Sequence, residues 1–265
     1  MQSSNENLTQ KIIEVFEEKT SVQGNTYDSV EHIVKNDTIV RRHVDAFDIY
    51  KKYLKDKTRI LDWGCRRAID AYLIQTYLPQ RADIYGCDVT EQEKQNFLYD
   101  YAELEYTQLT HPYTIPYDDN YFDVVIGSGV LEHVPNDYES LKELYRIINN
   151  DGYLIITFLP NYLSYTEFIA RKFRNGKAAH RRNYSISRIK KLLLHSGFLP
   201  VHYGYHQVLP SFASFSSEDY KFQKLEAFQA LISKFYNLNK YAEKTWPINQ
   251  FAANIFVIAQ KQLVM

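Results

Sequence analysis

Arg59-Ile60-Leu61-Asp62-Trp63-Gly64-Cys65-Arg66-Arg67 decides the fold. An apolar run ends in an acid, then in a glycine where the backbone must turn sharply. The next apolar run, Asp83-Ile84-Tyr85-Gly86-Cys87-Asp88, also ends in an acid. A strand, a tight turn, a helix and a second strand with a terminal carboxylate form a nucleoside-binding crossover. The second acid is then placed to take both ribose hydroxyls. Ligands of open α/β sheets sit at the carboxyl ends of strands, where the strand order reverses. The first loop departs from the Gly-x-Gly pattern, because Cys65, Arg66 and Arg67 follow Gly64.

The same alternation continues outward. A helix is predicted through Ala68, Tyr72, Leu73 and Leu78, closed by Pro79. Thr90, with Glu93 after it, resembles a capping box that opens another helix. Further strands are predicted at 104–109, 122–126, 153–158 and 199–203, with a last one at 254–259. Helices are predicted at 138–148, 185–195 and 225–235. Asn149-Asn150-Asp151-Gly152 reads as the stop of one helix, and Gly197 as the left-handed stop of another. Strands alternating with helices imply a parallel sheet covered on both faces. The two late strands have no clear crossover between them, which suggests an antiparallel last strand. Residues 1–57 read as a charged helical extension. Residues 161–184 read as a lid-like insertion rich in Arg, Lys and Tyr, expected to touch the substrate through His180, Arg181 or Tyr184, and 207–250 as an aromatic-rich segment.

Composition limits the function. The 265 residues carry a formal net charge of −1, so no global electrostatic case exists for nucleic acid. The two cysteines show no CxxC spacing, and no metal site is expected. No segment approaches the roughly 18 apolar residues that span a bilayer. The polar start, Met1-Gln2-Ser3-Ser4-Asn5, has no apolar signal region, and the cytoplasm is the expected location.

Five pieces in order carry a resemblance to a known family. They are Leu61-Asp62-Trp63-Gly64-Cys65, Gly86-Cys87-Asp88, Ile115-Pro116-Tyr117 with Phe122-Asp123-Val124-Val125, Leu131-Glu132-His133-Val134, and Leu144-Tyr145-Arg146-Ile147-Ile148 with Asp151-Gly152-Tyr153-Leu154. Together they resemble a class I S-adenosylmethionine-dependent methyltransferase of the small-molecule, UbiE-like type, over 59–259. The resemblance implies a Rossmann-like α/β fold, with a seven-stranded, mostly parallel sheet, an antiparallel last strand and helices on both faces. The methyltransferase domain would span 58–265. The cofactor implied is S-adenosyl-L-methionine.

The resemblance also implies roles. Asp62 would hold the methionine ammonium, and Gly64 would let the backbone approach it, with Cys65 in the pocket wall. Asp88 would take the ribose. Ser128 and Gly129 would border the methionine arm. Arg66 stands where the family usually has glycine. It would either obstruct the cofactor or, like Arg67, pair with its carboxylate. In the adenine loop, His111 precedes Pro112, which has no N–H; His111 and a neighbour such as Leu109 or Tyr113 would then serve the ring.

His133 and His180 are the candidate catalytic residues, each able to act as a base. The bland readings are a pocket wall or capping contact for His133 and a loop residue for His180. Arg171, Lys172, Arg174, Lys177, Arg181 and Arg182 make the insertion basic, either as a solvated loop or as a clamp for an anionic substrate. The reaction expected is methyl transfer to a small molecule, on oxygen before nitrogen. The acceptor would be a sugar, polysaccharide precursor or secondary metabolite. A non-catalytic scaffold with an eroded site and an NAD-dependent enzyme are the rival readings. The missing Gly-x-Gly-x-x-Gly argues against NAD.

Overall fold

The computed structural model describes residues 2–23, 38–78, 82–91, 98–99, 101–173, 180–209 and 235–262. Helix α1 (Gln2–Gln23) and helix α2 (Thr38–Tyr50) come first, and α2 runs into a 3₁₀ turn at Lys51–Leu54. The core alternates from there: β1 (Arg59–Trp63), α3 (Ile69–Tyr77), β2 (Asp83–Asp88), β3 (Glu105–Gln108), β4 (Phe122–Ser128) and α4 (Asp137–Ile147). Then come β5 (Ile148–Pro160), α5 (Tyr165–Phe173), α6 (Ile186–His195) and β6 (Phe198–His206). A short helix α7 (Asn239–Ala242) lies between 3₁₀ turns and precedes β7 (Asn254–Lys261).

The seven strands form one Rossmann-like sheet in the order β3-β2-β1-β4-β5-β7-β6. Only β7 runs antiparallel, pairing in that sense with both β5 and β6. The strand order reverses between β1 and β4, which pair in parallel with Trp63 opposite Gly127. That reversal opens a crevice at the carboxyl ends of these strands.

Parallel strands covered on both faces are apolar at every position, and successive residues serve opposite layers. Ile60, Ile84, Val124 and Ile126 face a layer built by Ile12 and Phe16 of α1, Val44 and Phe47 of α2, and Leu73 and Ile74 of α3. Leu61, Tyr85 and Val125 face the other layer, with Leu141 and Leu144 of α4 and Ile189 and Leu193 of α6. The first two helices therefore pack on the sheet together with α3.

Several expectations need adjustment. β5 begins at Ile148, earlier than the predicted 153, because its ladder with β4 resumes on both sides of an irregularity. Within that irregularity Asp151 has φ +63°, so the Asn-Asn-Asp-Gly turn exists inside the strand rather than before it. β6 extends to His206, since β7 pairs with it along its whole length. His133 lies in the turn 131–135, and the following helix starts only at Asp137, capped by the Asn136 side chain. Gly197, at φ +89°, follows α6 as expected; a Cβ there would lie 2.4 Å from the Tyr145 ring. The helices expected after Thr90 and at 225–235 fall largely outside the described residues.

Candidate active site

A cavity of about 800 Å³ opens at the strand reversal. Asp62, Gly64, Cys65, Arg66 and Arg67 line it from the end of β1, and Asp88, Val89 and Thr90 from the end of β2. Ser128, Gly129 and Val130 contribute from β4, and Leu109 and Pro112 from the loop after β3. Gly64 donates its N–H to the Cys87 carbonyl at 2.7 Å, which folds the loop back onto β2. Its φ is +71°, and a Cβ there would lie 2.5 Å from Val130. A side chain is thus excluded by conformation and by space.

Arg66 also sits in the left-handed region, at φ +44°. Glycine adopts that conformation without the steric cost that a side chain brings. Arg66 is exposed at the mouth of the pocket rather than filling it, and its carbonyl accepts a hydrogen bond from the Tyr99 hydroxyl at 2.9 Å. Burial, with Arg66 beside it, lowers the pKa of Arg67 to about 10.

Beneath the loop lies a group of acids. Asp62 is 2 % exposed and accepts the Ala71 N–H at 3.3 Å. Burial, then the charges of Asp70 and Asp88, raise its pKa well above the usual carboxylate range. Asp70 is also buried, and burial would raise it too. It is held below its ordinary value by His43, which lies 2.8 Å away, together with Tyr50 and Ser128. Ile39, Arg42 and His43 of α2 reach the pocket wall, and the Arg42 guanidinium lies 4.9 Å from the centre of the Phe158 ring. A helix that read as a charged extension therefore supplies part of the site. Asp88 accepts the Thr90 N–H at 3.0 Å, which orients its carboxylate at the pocket edge.

The two candidate histidines meet although 47 residues separate them in sequence: the rings of His133 and His180 are 5.7 Å apart. His133 lines the pocket, and His180 stands behind it. His180 Nδ1 lies 2.7 Å from Glu167 of α5, and its backbone N–H donates to the other oxygen of the same carboxylate at 3.0 Å. Burial opposes protonation of His180, but the Glu167 hydrogen bond and charge outweigh it and raise the pKa. Glu132, 7 % exposed, completes the group; burial raises its pKa to about 7.

Other expectations fail for clear reasons. His111 is exposed and accepts the Tyr113 N–H at 3.2 Å, so it organises its own loop and leaves the pocket wall to Leu109 and Pro112. Arg182 donates to the carbonyls of Leu131, Val134 and Pro135. Its guanidinium holds the turn that carries His133 and is not an anion clamp. Tyr184 is fully buried, its hydroxyl on the Leu131 carbonyl and on Asp137. It belongs to the core rather than to a substrate-facing lid. Glu132, Glu167, Arg42 and Asp70 were not foreseen as site residues. The only sequence signal was Glu132, directly before His133 in a quoted motif.

The pocket fits S-adenosylmethionine. Burial and two neighbouring acids raise the pKa of Asp62, an environment that an ammonium would balance, and Arg66 and Arg67 at the mouth would match a carboxylate. A family pattern described as "Methyltransferase domain" matches residues 61–156. The chain is 29 % identical over 171 residues to a demethylmenaquinone methyltransferase of Bacillus mycoides, covering 55 % of this chain and 71 % of that one. A demethylmenaquinone methyltransferase of Staphylococcus epidermidis is 28 % identical over 135 residues, which span 49 % of this chain and about half (54 %) of the relative. The structure of a SAM-dependent methyltransferase from Archaeoglobus fulgidus superposes with a TM-score of 0.59 at 19 % identity, covering 89 % of this chain and 100 % of that one. Residues 61–156 thus match the methyltransferase-domain pattern, and the chain shares the fold of a SAM-dependent methyltransferase and is similar in sequence to demethylmenaquinone methyltransferases.

Proposed function

We propose that the protein methylates an oxygen of a small-molecule acceptor, such as a sugar, a polysaccharide precursor or a secondary metabolite, in the cytoplasm. S-adenosylmethionine, when bound, supplies a methyl already activated on a sulfonium. The chain's own task is alignment, exclusion of water and management of the acceptor's proton. Asp88 holds the ribose, Asp62 the methionine ammonium, and Arg66 or Arg67 the carboxylate. Gly64, Cys65, Ser128 and Gly129 shape the wall along the methionine arm, while Leu109 and Pro112 flank the adenine. An acceptor with an anionic group fits Arg66 at the mouth.

One observation carries the choice of oxygen: the imidazole of His180 is oriented by Glu167 and sits beside His133, which lines the pocket. A hydroxyl must lose its proton as the methyl arrives, and an imidazole oriented by a carboxylate is suited to accept it. Release of S-adenosylhomocysteine should be measured with matched hydroxyl and amine acceptors. Turnover only with amines would discard the oxygen reading. Calorimetry with S-adenosylmethionine tests the cofactor roles independently of any acceptor.

A further inference from the structure

We propose that Glu132, His133 and His180 form a binding site for a divalent transition-metal ion at the rim of the pocket. One ligand atom from each lies within 4.8 Å of the other two. Bonds of about 2.1 Å to an ion set neighbouring donors roughly 3–4 Å apart, so a small contraction closes the site. The contraction is available because the His133 side chain is 65 % exposed on a turn.

Two further observations point to a cation. The Glu132 side chain is 2 % exposed, and its Oε2 is buried without a hydrogen-bond partner among the described residues. A buried carboxylate oxygen left unpaired is costly, and a metal ion satisfies it directly. Glu167 in turn engages Nδ1 of His180 at 2.7 Å, which leaves Nε2 as the free ring nitrogen. A carboxylate behind a histidine is the usual way a ligating ring is oriented and made more basic. Arg182 fixes the geometry from outside by binding the carbonyls of Leu131, Val134 and Pro135 on either side of His133.

Two imidazoles and one carboxylate suit zinc, cobalt or iron better than magnesium or calcium. Three protein ligands leave a position open for the acceptor's oxygen, whose proton the ion makes more acidic. This last role rests on the methyl-transfer reading; the ion site itself does not. His180 Nε2 cannot hold an ion and accept a proton at once. With the ion in place the hydroxyl proton leaves to solvent. The oxygen–methyl bond then forms, and the sulfur keeps the electron pair of the bond that breaks.

The full chain, freed of metal by a chelator, is titrated with zinc by calorimetry and with cobalt by visible absorption. One equivalent of each is expected, with cobalt ligand-field bands that zinc abolishes. His133→Ala changes an exposed side chain and should weaken zinc binding at least tenfold with an unchanged melting temperature. Glu167→Gln should weaken it by about 10–100-fold, as for other groups that orient a ligand. Absence of zinc and cobalt binding in the wild type overturns the site. So does zinc binding of equal strength in the His133→Ala/His180→Ala double variant, which would place the ion elsewhere. Parallel titration with S-adenosylmethionine separates the two readings. Cofactor binding without zinc removes only the ion site, and zinc binding without cofactor removes only the methyl-transfer reading.

Discussion

The two walls of the pocket are built in different ways. The wall proposed to hold the cofactor comes from the ends of β1 and β2, and Asp62, Gly64, Cys65, Arg66 and Asp88 lie within 27 consecutive residues. The rim comes from α2 and the 131–135 turn, with His180 behind His133, so Arg42, His133 and His180 come together only when the chain is folded. The first wall is set by strand ends and one turn. The second depends on contacts such as Arg182 to the turn carbonyls and Asp70 to His43 and Tyr50. Changes at the rim should therefore affect turnover while sparing cofactor affinity, and changes at the strand ends the reverse.

The sharpest break is expected at His180. His180→Ala should lower turnover by about 10²-fold or more with cofactor affinity nearly unchanged, whether the ring accepts a proton or holds an ion. Full turnover on a true acceptor would remove the rim from the chemistry. Next, Asp88→Ala should weaken S-adenosylmethionine binding by about 1.5–3 kcal/mol through loss of charged hydrogen bonds to the ribose. Equal dissociation constants for the two proteins would take Asp88 out of the site.

Asp62 provides a subtler test of the cofactor wall. Buried beside Asp70 and Asp88, and near Cys65 and Tyr50, it holds its proton more tightly than an ordinary carboxyl. An ammonium arriving beside it favours the carboxylate, so binding should release a proton. Affinity should then rise with pH while Asp62 is protonated in the free protein, by at most about tenfold per pH unit. Calorimetry in buffers of different ionisation enthalpy measures the proton directly; a binding enthalpy independent of buffer would contradict it.

The smallest expected effect is at Arg66→Gly. Relief of a left-handed backbone and the added freedom of the unfolded chain oppose each other, so stability should change by no more than about 1 kcal/mol. Weaker cofactor binding in this variant assigns the carboxylate to Arg66. Unchanged binding, with a loss in Arg67→Ala, assigns it to Arg67; no loss in either removes both.

The difference between the walls also explains what could be read from the sequence. β1, β2 and β4 are continuous apolar runs that end in an acid or a glycine, and such signals are local. The places of Asp62, Gly64 and Asp88 along the pocket were accessible for that reason. Asp70 sits in the first turn of α3, where an acid normally answers the helix dipole at the surface, yet here it is 3 % exposed. Its burial depends on α2, which nothing near Asp70 in sequence announces. Arg182 and Tyr184 carry the composition of a solvent-facing loop and are spent on the turn that holds His133. Glu167 pairs with His180 across 13 residues without a periodic pattern that would join them. His111 next to Pro112 suggested an adenine contact, but the imidazole binds its own loop instead.

The position of β7 has a consequence for the order of assembly. Among the described strands β6 is at the sheet edge and is paired only with β7, which separates it from β5. Yet β6 precedes β7 in the chain by some 50 residues (Phe198–His206 against Asn254–Lys261). During synthesis β6 therefore leaves the ribosome with no strand to join, while the open edge of β5 waits beside it. Entry of β7 between the two completes both ladders in one event. Until then β5 and β6 both lack their ladder partner, and open strand edges are the kind of surface that recruits chaperones or neighbouring chains.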